Sequence, residues 1–478
     1  MLLKKICVKL IHIAISFALV FNITIYHAAF ADDGINIIND AEIEDYTHSI
    51  LSDVLNANNI DPERVDFYIV KDQAINAFVY DGLKVFVNLG LILNASGPEV
   101  VYGVLAHEVG HIKGVHLVRG TAAIQTSAIK SGLIGLTALA IGLFAMPRSA
   151  NGESLDMVQA AVLAGGQVFQ RSVLAFTRGQ EEEADKYALD ALTKMQISND
   201  GITELFTKLK TIQSRYIQNI DKYSTTHPLS DARIDFFTKY NTTKTKQTKK
   251  LQDLKLAHCL INGKINGFFD IKPSITADTS FLTNKQCKSY YAIYKAIGKK
   301  NWDLAESLAG KYTTSFPSQA LNPYFNETQG DIAFAKSNLQ DALRHYSTAI
   351  KNANAANKPL FVTRQLLYKS FNTSIALHKN AINLLANDIA EINKELTTAK
   401  EQSYQAKLYF LLSVAKQYYG SEVLSLINLA FSKFYSNDKE GAKTIYTKLS
   451  TNQLLSPEEK AELETLKILI DDKDAQGK

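Results

Sequence analysis

Cysteine is scarce in this sequence, with three among 478 residues: Cys7, Cys259 and Cys287. None has the close spacing to a second cysteine that a cysteine zinc site requires, which excludes that kind of metal centre. Cys7 falls in an N-terminal segment that we expect to be removed. The other two can pair in an oxidising compartment, so we predict a Cys259–Cys287 disulfide, with two buried free thiols as the alternative.

A strong net charge is also missing, since 52 basic and 48 acidic side chains leave a formal charge of +4. Three of the basic residues, Lys4, Lys5 and Lys9, precede an apolar run that ends in Ala29-Phe30-Ala31. A basic start, an apolar middle and a small-x-small end are typical of a secretory signal peptide. We predict a signal peptide at residues 1–31, cleaved after Ala31, with an uncleaved anchor as the alternative. The mature chain then has no bulk attraction to nucleic acid.

Beyond this leader, no apolar run reaches the roughly 20 residues of a membrane-spanning helix. The most apolar stretch, residues 132–146, reads GLIGLTALAIGLFAM and is bounded by Lys130 and Pro147. We interpret it as a core helix or a cover over a cleft. The alternative is a segment that touches or dips into a membrane when the site beneath it opens.

The pentapeptide His107-Glu108-Val109-Gly110-His111 carries the strongest chemical signal. Histidines four residues apart lie on one face of a helix and can bind one Zn²⁺ from the same side. The glutamate between them sits about 100° round the helix, where it can deprotonate water rather than bind the metal. The pattern predicts the centre of a zinc hydrolase.

A catalytic zinc needs a third protein ligand. His116 follows His111 by five residues, not the six of the metzincin pattern, and on a continuous helix it lies about 180° from His107. We therefore predict a structural role for His116. Glu181 and Asp185 share one helix face, so Glu181 can bind the metal while Asp185 accepts a hydrogen bond from a ligand histidine. Two further candidates for the third ligand on spacing alone are Glu182 and Glu183.

The pattern predicts a mainly α protein in two parts. A helix over 40–57 and strands at 66–70, 76–80 and 83–87, with an Asp81-Gly82 hairpin turn, predict an α+β zincin-type domain at 32–240 with a small antiparallel sheet. Residues 241–250 lack apolar side chains and read as a linker. In the helical part at 251–478, small residues and tyrosines recur at the offsets of a tetratricopeptide repeat. They are Gly330, Ala342, Tyr346 and Ala349, and again Ala430, Ala442, Tyr446 and Leu449.

Together, HEVGHIKGVH, the Arg178–Asp185 segment, Asn76-Ala77-Phe78 and the Thr226-His227-Pro228 loop with Arg233 resemble peptidase family M48. Within that gluzincin family, the resemblance is to periplasmic members with a C-terminal tetratricopeptide domain. It implies one zinc ion held by His107, His111 and Glu181, with Glu108 as the base and Asp185 behind a ligand. It also implies that His227 lies near the metal, as an oxyanion group or as a fourth ligand. We expect Arg233 to contact the oxyanion or the substrate, or to be an ion-pair partner within its helix.

The resulting hypothesis is a periplasmic zinc metalloendopeptidase that hydrolyses misfolded or stalled envelope proteins, including outer-membrane proteins. Substrate would pair with the strand around residues 83–87. The repeat domain would bind substrate, an outer-membrane protein or its assembly machinery. The main alternative is a chaperone-like or assembly-factor binding protein in which the metal domain is gated and proteolysis is secondary. A zinc hydrolase of small molecules fits poorly, because it needs no repeat domain.

Overall fold

A computed structural model describes residues 36–80, 83–116, 178–215, 227, 229–241, 243–269, 280–452 and 454–471. The described residues fall into two compact units. The first contains those between Tyr46 and Tyr291, and the second contains those up to Asp45 and from Ala292 onward. The predicted signal peptide, the apolar stretch 132–146 and the Asp81-Gly82 turn lie outside the described residues. Among the helices of the described ranges, none is long and apolar enough to span a membrane.

The elements up to Phe268 include the short sheet and the helices that carry the metal motifs. In chain order they are β1 (Ile37–Ile38), α1 (Ala41–Ala57), β2 (Asp66–Val70), β3 (Ala77–Tyr80), β4 (Lys84–Asn88), α2 (Leu89–Asn94), α3 (Pro98–Lys113), α4 (Arg178–Lys194), α5 (Asp200–Arg215), α6 (Asp231–Lys239) and α7 (Lys249–Phe268).

In the sheet, β4 lies between β2 and β3. It pairs antiparallel with β3, as the hairpin signal predicted, and parallel with β2. The sheet is therefore mixed rather than antiparallel. The Asp-Gly signal specifies the direction of β4 relative to β3, but it does not specify which of the two lies next to β2. Phe86 at the centre of β4 is stacked on Phe78 of β3 and Tyr68 of β2, with ring centroids 4.9 and 5.0 Å away.

Helix α3 is buried from Val100 to His111, as its apolar neighbours predicted. Two glycines let other helices approach its backbone. A Cβ on Gly110 would lie 2.7 Å from the carbonyl oxygen of Ala184 in α4, and one on Gly103 would lie 2.8 Å from Cβ of Ile202 in α5. Real Cβ atoms almost never come so close, so the two glycines are what permit this packing. The close approach brings the acidic side chains of α4 next to the histidines of α3.

The first unit continues past residue 240, where the sequence placed the end of the metal domain. Lys246 donates its backbone N–H to the carbonyl of Gln196, so the chain around 241–250 is attached to this unit. His258 of α7 then lies 2.8 Å from the hydroxyl of Tyr46 and 3.0 Å from the carbonyl of Ala95. A polar composition marks exposed chain, and it does not by itself mark the edge of a domain.

The predicted disulfide between Cys259 and Cys287 is present, with the two Cα atoms 5.8 Å apart. It joins α7 to the next helix within the first unit. Cys287 is fully buried. The bond therefore attaches the last helix of this unit to the segment that packs against residues 46 and 95.

The remaining described elements are all helical. They are α8 (Lys285–Gly298), α9 (Trp302–Ser315), α10 (Pro323–Ala335), α11 (Leu339–Ala355), α12 (Leu360–His378), α13 (Ile382–Leu396), α14 (Gln402–Tyr419), α15 (Glu422–Tyr435), α16 (Lys439–Ser450) and α17 (Pro457–Asp471), with short 3₁₀ turns at Ser280–Leu282 and Pro317–Leu321. The mainly α fold class, with a small sheet near the N-terminus, is confirmed.

Five turns between the described helices of this part share one geometry: those at Asn357 and Gly420, and the three given next. Each of these three has a residue in the left-handed backbone region, at Lys300, Ser337 and Asn437, with φ of 55°, 62° and 66°. In each, the following N–H donates to the carbonyl five residues earlier: Asn301 to Ala296, Asn338 to Ala333 and Asp438 to Lys433. This is the Schellman ending of a helix. The turns at Ser337 and Asn437 each lie seven residues after a predicted repeat residue, Gly330 and Ala430 respectively.

The predicted small residues lie at helix contacts. A Cβ on Gly330 of α10 would meet the ring of Tyr346 in α11 at 2.6 Å, so the glycine makes room for the tyrosine. The hydroxyl of Tyr346 in turn donates to Asp331 at 2.7 Å. Ala342 and Ala349 of α11 are fully buried. The tetratricopeptide assignment itself stays a prediction.

Candidate metal centre

Four buried side chains meet at the C-terminal half of α3. His107 and His111 come from α3, Glu181 from the first turn of α4, and His227 from the chain just before α6. Their exposed fractions are 0, 1, 2 and 0%. One ligand atom from each lies within 4.8 Å of the others, so the group can hold one metal ion.

The spacing of the ligand atoms agrees with a single tetrahedral ion. Bonds of about 2.0–2.1 Å in a tetrahedron place neighbouring ligand atoms roughly 3.3 Å apart. Nε2 of His107 lies 3.1 Å from Nε2 of His111, 3.4 Å from Oε2 of Glu181 and 3.3 Å from Nδ1 of His227. Oε1 of Glu181 lies 3.5 Å from Nε2 of His111 and 3.2 Å from Nδ1 of His227. The side chains therefore fit zinc in both identity and separation.

Glu108 lies beside this cluster and does not belong to it. Its side chain is fully buried, with Oε1 3.4 Å from Nε2 of His227. Among the described residues, neither of its carboxylate oxygens accepts a hydrogen bond. Burial raises the pKa of Glu108, although the neighbouring histidines oppose that effect. A carboxylate with a raised pKa is a better proton acceptor, which is the property a general base needs.

His107 is supported from behind by Asp185 and Arg233. Its Nδ1 lies 2.9 Å from Oδ1 of Asp185, while Arg233 donates to both oxygens of Asp185 at 2.7 and 2.8 Å. Arg233 also lies 2.8 Å from Oε2 of Glu181. Burial would raise the pKa of Asp185, but hydrogen bonds from His107 and Arg233 hold it below its usual value. Asp185 therefore stays ionised and can fix the orientation of His107.

Glu181 and His111 are in the ionisation states that metal binding needs. Burial opposes ionisation of Glu181, but the charges of His227 and His107 and hydrogen bonds from both hold its pKa well below the usual range. Burial and the nearby charges of His107 and His227 hold the pKa of His111 well below its usual value. A carboxylate and a neutral imidazole are the forms that bind zinc.

His116 is outside the four-residue cluster. The chain reverses after α3, and His116 lies behind His111 with its Nδ1 2.9 Å from Nδ1 of His111. Glu183, a candidate ligand on spacing alone, contacts Nε2 of His116 at 3.1 Å. Glu182 is exposed on the outer side of α4. The structure thus brings Glu181 to the cluster and directs its two neighbours elsewhere.

Two residues that support the site, Phe206 and Tyr187, were not predicted from the sequence. The ring of Phe206 in α5 lies 4.7 Å from the guanidinium carbon of Arg233, which adds a cation–π contact to that buried charge. Tyr187 donates its hydroxyl to Oε1 of Glu183 at 3.2 Å. The spacing of Glu183 and Tyr187 on one face of α4 was available as a hint, whereas Phe206 depends wholly on tertiary packing.

The first part of the chain, which contains this cluster, matches a known protein family. The model of peptidase family M48 matches residues 42–241. These residues are a peptidase family M48 domain. The family comprises zinc metalloproteases, and the buried cluster described above, which could bind one metal ion, lies within the matched residues.

Three relatives are 26–38% identical to this chain over aligned segments of 120–198 residues. The beta-barrel assembly-enhancing protease of Yersinia pestis is 29% identical over 181 residues, which cover 38% of this chain and 35% of the relative. The protein of that name from Escherichia coli strain K12 is 26% identical over 198 residues, covering 41% and 39%. A protease HtpX homolog of Aeropyrum pernix is 38% identical over 120 residues, covering 24% and 37%. The chain thus covers less than two fifths of each relative's length.

Proposed function

We propose that this protein is an exported zinc metalloendopeptidase acting in the periplasm. The observation that carries the proposal is the cluster of His107, His111 and Glu181 at tetrahedral spacing, with the buried carboxylate of Glu108 beside it. A zinc ion held there would supply Lewis acidity and bring the pKa of water to about 7. The predicted signal peptide and the disulfide support export, because disulfides persist in oxidising compartments.

In this proposal Glu108 moves the proton. It accepts a proton from the attacking water and delivers it to the leaving nitrogen as the peptide bond breaks. Its raised pKa favours the first transfer, and its position 3.4 Å from His227 keeps it at the edge of the ligand cluster. Asp185 and Arg233 hold His107 in place from the other side.

Two site residues take more specific roles than the sequence suggested. Nδ1 of His227 lies 3.3 Å from Nε2 of His107 and 3.2 Å from Oε1 of Glu181, which is the separation expected between two ligands of one zinc ion. This spacing supports His227 as a fourth zinc ligand in this conformation rather than as an oxyanion donor. Substrate would then have to displace it. Arg233 pairs with Asp185 and Glu181 on α4, and its buried guanidinium is engaged by these carboxylates. This supports a positioning role for Arg233 rather than substrate contact.

The substrate in this proposal is an extended polypeptide. The strand around residues 83–87, the sequence-based choice for pairing with substrate, lies inside the sheet between β2 and β3. Strand β3 is at the end of the sheet, and among the described residues no strand pairs with its outer side. Peptide pairing with β3 is therefore the arrangement we propose.

The cellular role we propose follows from two of these relatives, which are beta-barrel assembly-enhancing proteases. We infer that this chain degrades misfolded or stalled outer-membrane proteins. The helices from α8 onward would form tetratricopeptide repeats that bind the substrate or its assembly machinery. The turns at residues 337 and 437 support the repeats, since each lies seven residues after a predicted small residue, Gly330 or Ala430.

The catalytic proposal is tested with the full mature chain, its zinc content and the cleavage of an unfolded protein. We expect one zinc per chain and cleavage that Glu108→Gln reduces by at least about a hundredfold without loss of zinc. Glu99→Gln, on the same helix but outside the cluster, serves as the matched control. Zinc binding without any Glu108-dependent cleavage of unfolded protein would reject the peptidase.

The second candidate is a binding protein whose metal domain is gated. Its supporting observation is His227, because four protein ligands leave no open position at the metal. Complementation of a strain that lacks the chain separates the two candidates. If Glu108→Gln restores outer-membrane assembly as well as wild type does, binding rather than proteolysis is the main activity. Failure of Glu108→Gln favours the peptidase.

A further inference from the structure

The chain just after α3 folds back over its own backbone. Gly114 ends the helix, and Val115 has φ of 54°, in the left-handed region that valine rarely adopts. The reversal brings His116 to a fully buried position. A Cβ on Gly114 would lie only 2.1 Å from Nε2 of His116. The imidazole therefore occupies the space that a side chain at position 114 would fill.

This buried imidazole lies directly behind one candidate zinc ligand. Nδ1 of His116 is 2.9 Å from Nδ1 of His111, whose other nitrogen, Nε2, faces the ligand cluster. The two rings meet edge to face at 74°. Two ring nitrogens at 2.9 Å share a hydrogen bond only if one carries the hydrogen and the other accepts it.

The direction of that hydrogen bond follows from the ligand role of His111. An imidazole that binds a metal through Nε2 carries its hydrogen on Nδ1, so His111 donates and Nδ1 of His116 accepts. The hydrogen of His116 is then on Nε2, which lies 3.1 Å from Oε2 of Glu183 and donates to it. Each hydrogen bond in the series therefore favours the same tautomer of His111.

Two further hydrogen bonds hold Glu183 and the backbone of His116 in place. The other oxygen of Glu183 accepts a hydrogen bond from the hydroxyl of Tyr187 at 3.2 Å. Gln180 donates its side-chain amide to the backbone carbonyl of His116 at 3.2 Å. All three partners come from α4, the helix that also provides Glu181 and Asp185. One helix thus supports both histidines of the pentapeptide, His107 through a carboxylate and His111 through a second imidazole.

We propose that His116 is a positioning residue, which fixes the ring orientation and tautomer of His111 while Glu183 fixes those of His116. The inference rests on the proposed zinc site. Groups that hold a metal-binding histidine from behind typically contribute 10–100-fold in metal affinity. His116 would act through His111 and would not touch zinc or substrate.

Zinc affinity of the full mature chain, measured by competition with a chromophoric chelator, tests the proposal. We expect His116→Phe, which keeps an aromatic ring but loses both nitrogens, to weaken zinc binding about 10–100-fold. His116→Asn places a carbonyl oxygen near the former Nδ1, so it should recover most of the lost affinity. If His116 acted only through packing, asparagine, which has a different shape, would not restore the zinc affinity.

Glu183→Ala supplies a second variant if His116→Phe fails to fold. It removes the acceptor at the far end of the series, and we expect a smaller loss, about 3–10-fold. Exposed Glu182→Gln is the matched control and should leave the affinity unchanged. Wild-type zinc affinity in folded His116→Phe, or in Glu183→Ala when only that variant folds, would overturn the positioning role while leaving the peptidase intact. Absence of zinc binding by the wild type would reject the zinc site and this inference with it.

Discussion

The metal centre and the helix turns of the second unit stabilise their buried polar groups in different ways. In the metal centre the partners are far apart in sequence: 48 residues separate Arg233 from Asp185, and 120 separate His107 from His227. Two hydrogen bonds beside turns of the second unit join local partners instead. Only 15 residues separate Tyr346 from Asp331, and Asp438 accepts from Gly441 three residues on.

The two arrangements differ in how much depends on one residue. Each charge of the metal centre is buried and relies on several others, so removing one leaves its partners without compensation. At the turn around residue 437, Asp438 accepts hydrogen bonds from Gly441 and Lys433, and water can replace both because the carboxylate is partly exposed. We therefore expect substitutions in the metal centre to lower the free energy of unfolding strongly, and substitutions at the turns of the second unit to lower it little.

Asp185→Asn should have the largest effect on stability. It removes one of the two carboxylates that the buried Arg233 guanidinium contacts, the one that accepts two hydrogen bonds from it, and breaking a buried pair costs roughly 3–5 kcal/mol. Urea unfolding of the metal-free protein measures the loss. Asp190→Asn, on the same helix but half exposed, should change the unfolding free energy by under about 0.5 kcal/mol. Equal losses of unfolding free energy for Asp185→Asn and Asp190→Asn would contradict the claim that the buried carboxylate on α4 contributes more than the exposed one.

The pH dependence of the metal-free protein tests the same region. Burial and Arg233 lower the pKa of His107, but hydrogen bonds to Asp185 and Glu181 outweigh them and raise it to about 9. Because the folded value lies above the unfolded value of about 6.5, the stabilisation is full below pH 6.5 and is lost as pH rises through 9. We expect the unfolding free energy to fall by roughly 3 kcal/mol across that window.

Urea titrations at several pH values in the presence of a chelator measure this change. His107→Gln cannot bind the proton, so its unfolding free energy should stay flat between pH 6.5 and 9. A wild type with the same flat profile would contradict the raised pKa of His107 and weaken the case for an ionised Asp185.

Asp438→Ala should have the smallest effect. It removes the side-chain cap on the N–H of Gly441 at the start of α16, which typically costs about 1 kcal/mol. Asn338, at the equivalent place in another turn, makes no side-chain cap hydrogen bond, so Asn338→Ala should cost less. Thermal unfolding followed by circular dichroism compares the two. If Asp438→Ala destabilises the protein as much as Asp185→Asn does, the claimed difference between local and distant partners is wrong.

How much the sequence predicted depends on the distance between partners. His107, Glu108 and His111 could be recognised because a helix fixes their relation within one turn, and Glu181 because it shares a face with Asp185. For His116, helix geometry could only exclude that it binds the same metal ion as His107 on a continuous helix. Its real place behind His111 depends on a left-handed residue at Val115, which no residue pattern indicated.

The fold shows the same limit. The hairpin of β3 and β4 was predictable from the Asp-Gly turn, but the insertion of β4 beside β2 was not, because it is a choice between distant strands. The linker that the lack of apolar residues at 241–250 predicts stays a prediction, and contacts such as those of His258 in α7 with Tyr46 and Ala95 could not be predicted because they join distant residues. The turns at 337 and 437 were the reverse case, since each follows a predicted small residue, Gly330 or Ala430, by seven residues and could have been predicted with it.

Zinc K-edge X-ray absorption tests the central claim most directly, that residues from α3, α4 and the chain before α6 form one metal site. In the zinc-loaded wild type we predict three imidazole ligands and one carboxylate oxygen, and in His227→Ala two imidazoles with a solvent oxygen in place of the third. Spectra of the two proteins with the same imidazole number would contradict the four-residue site built from His107, His111, Glu181 and His227.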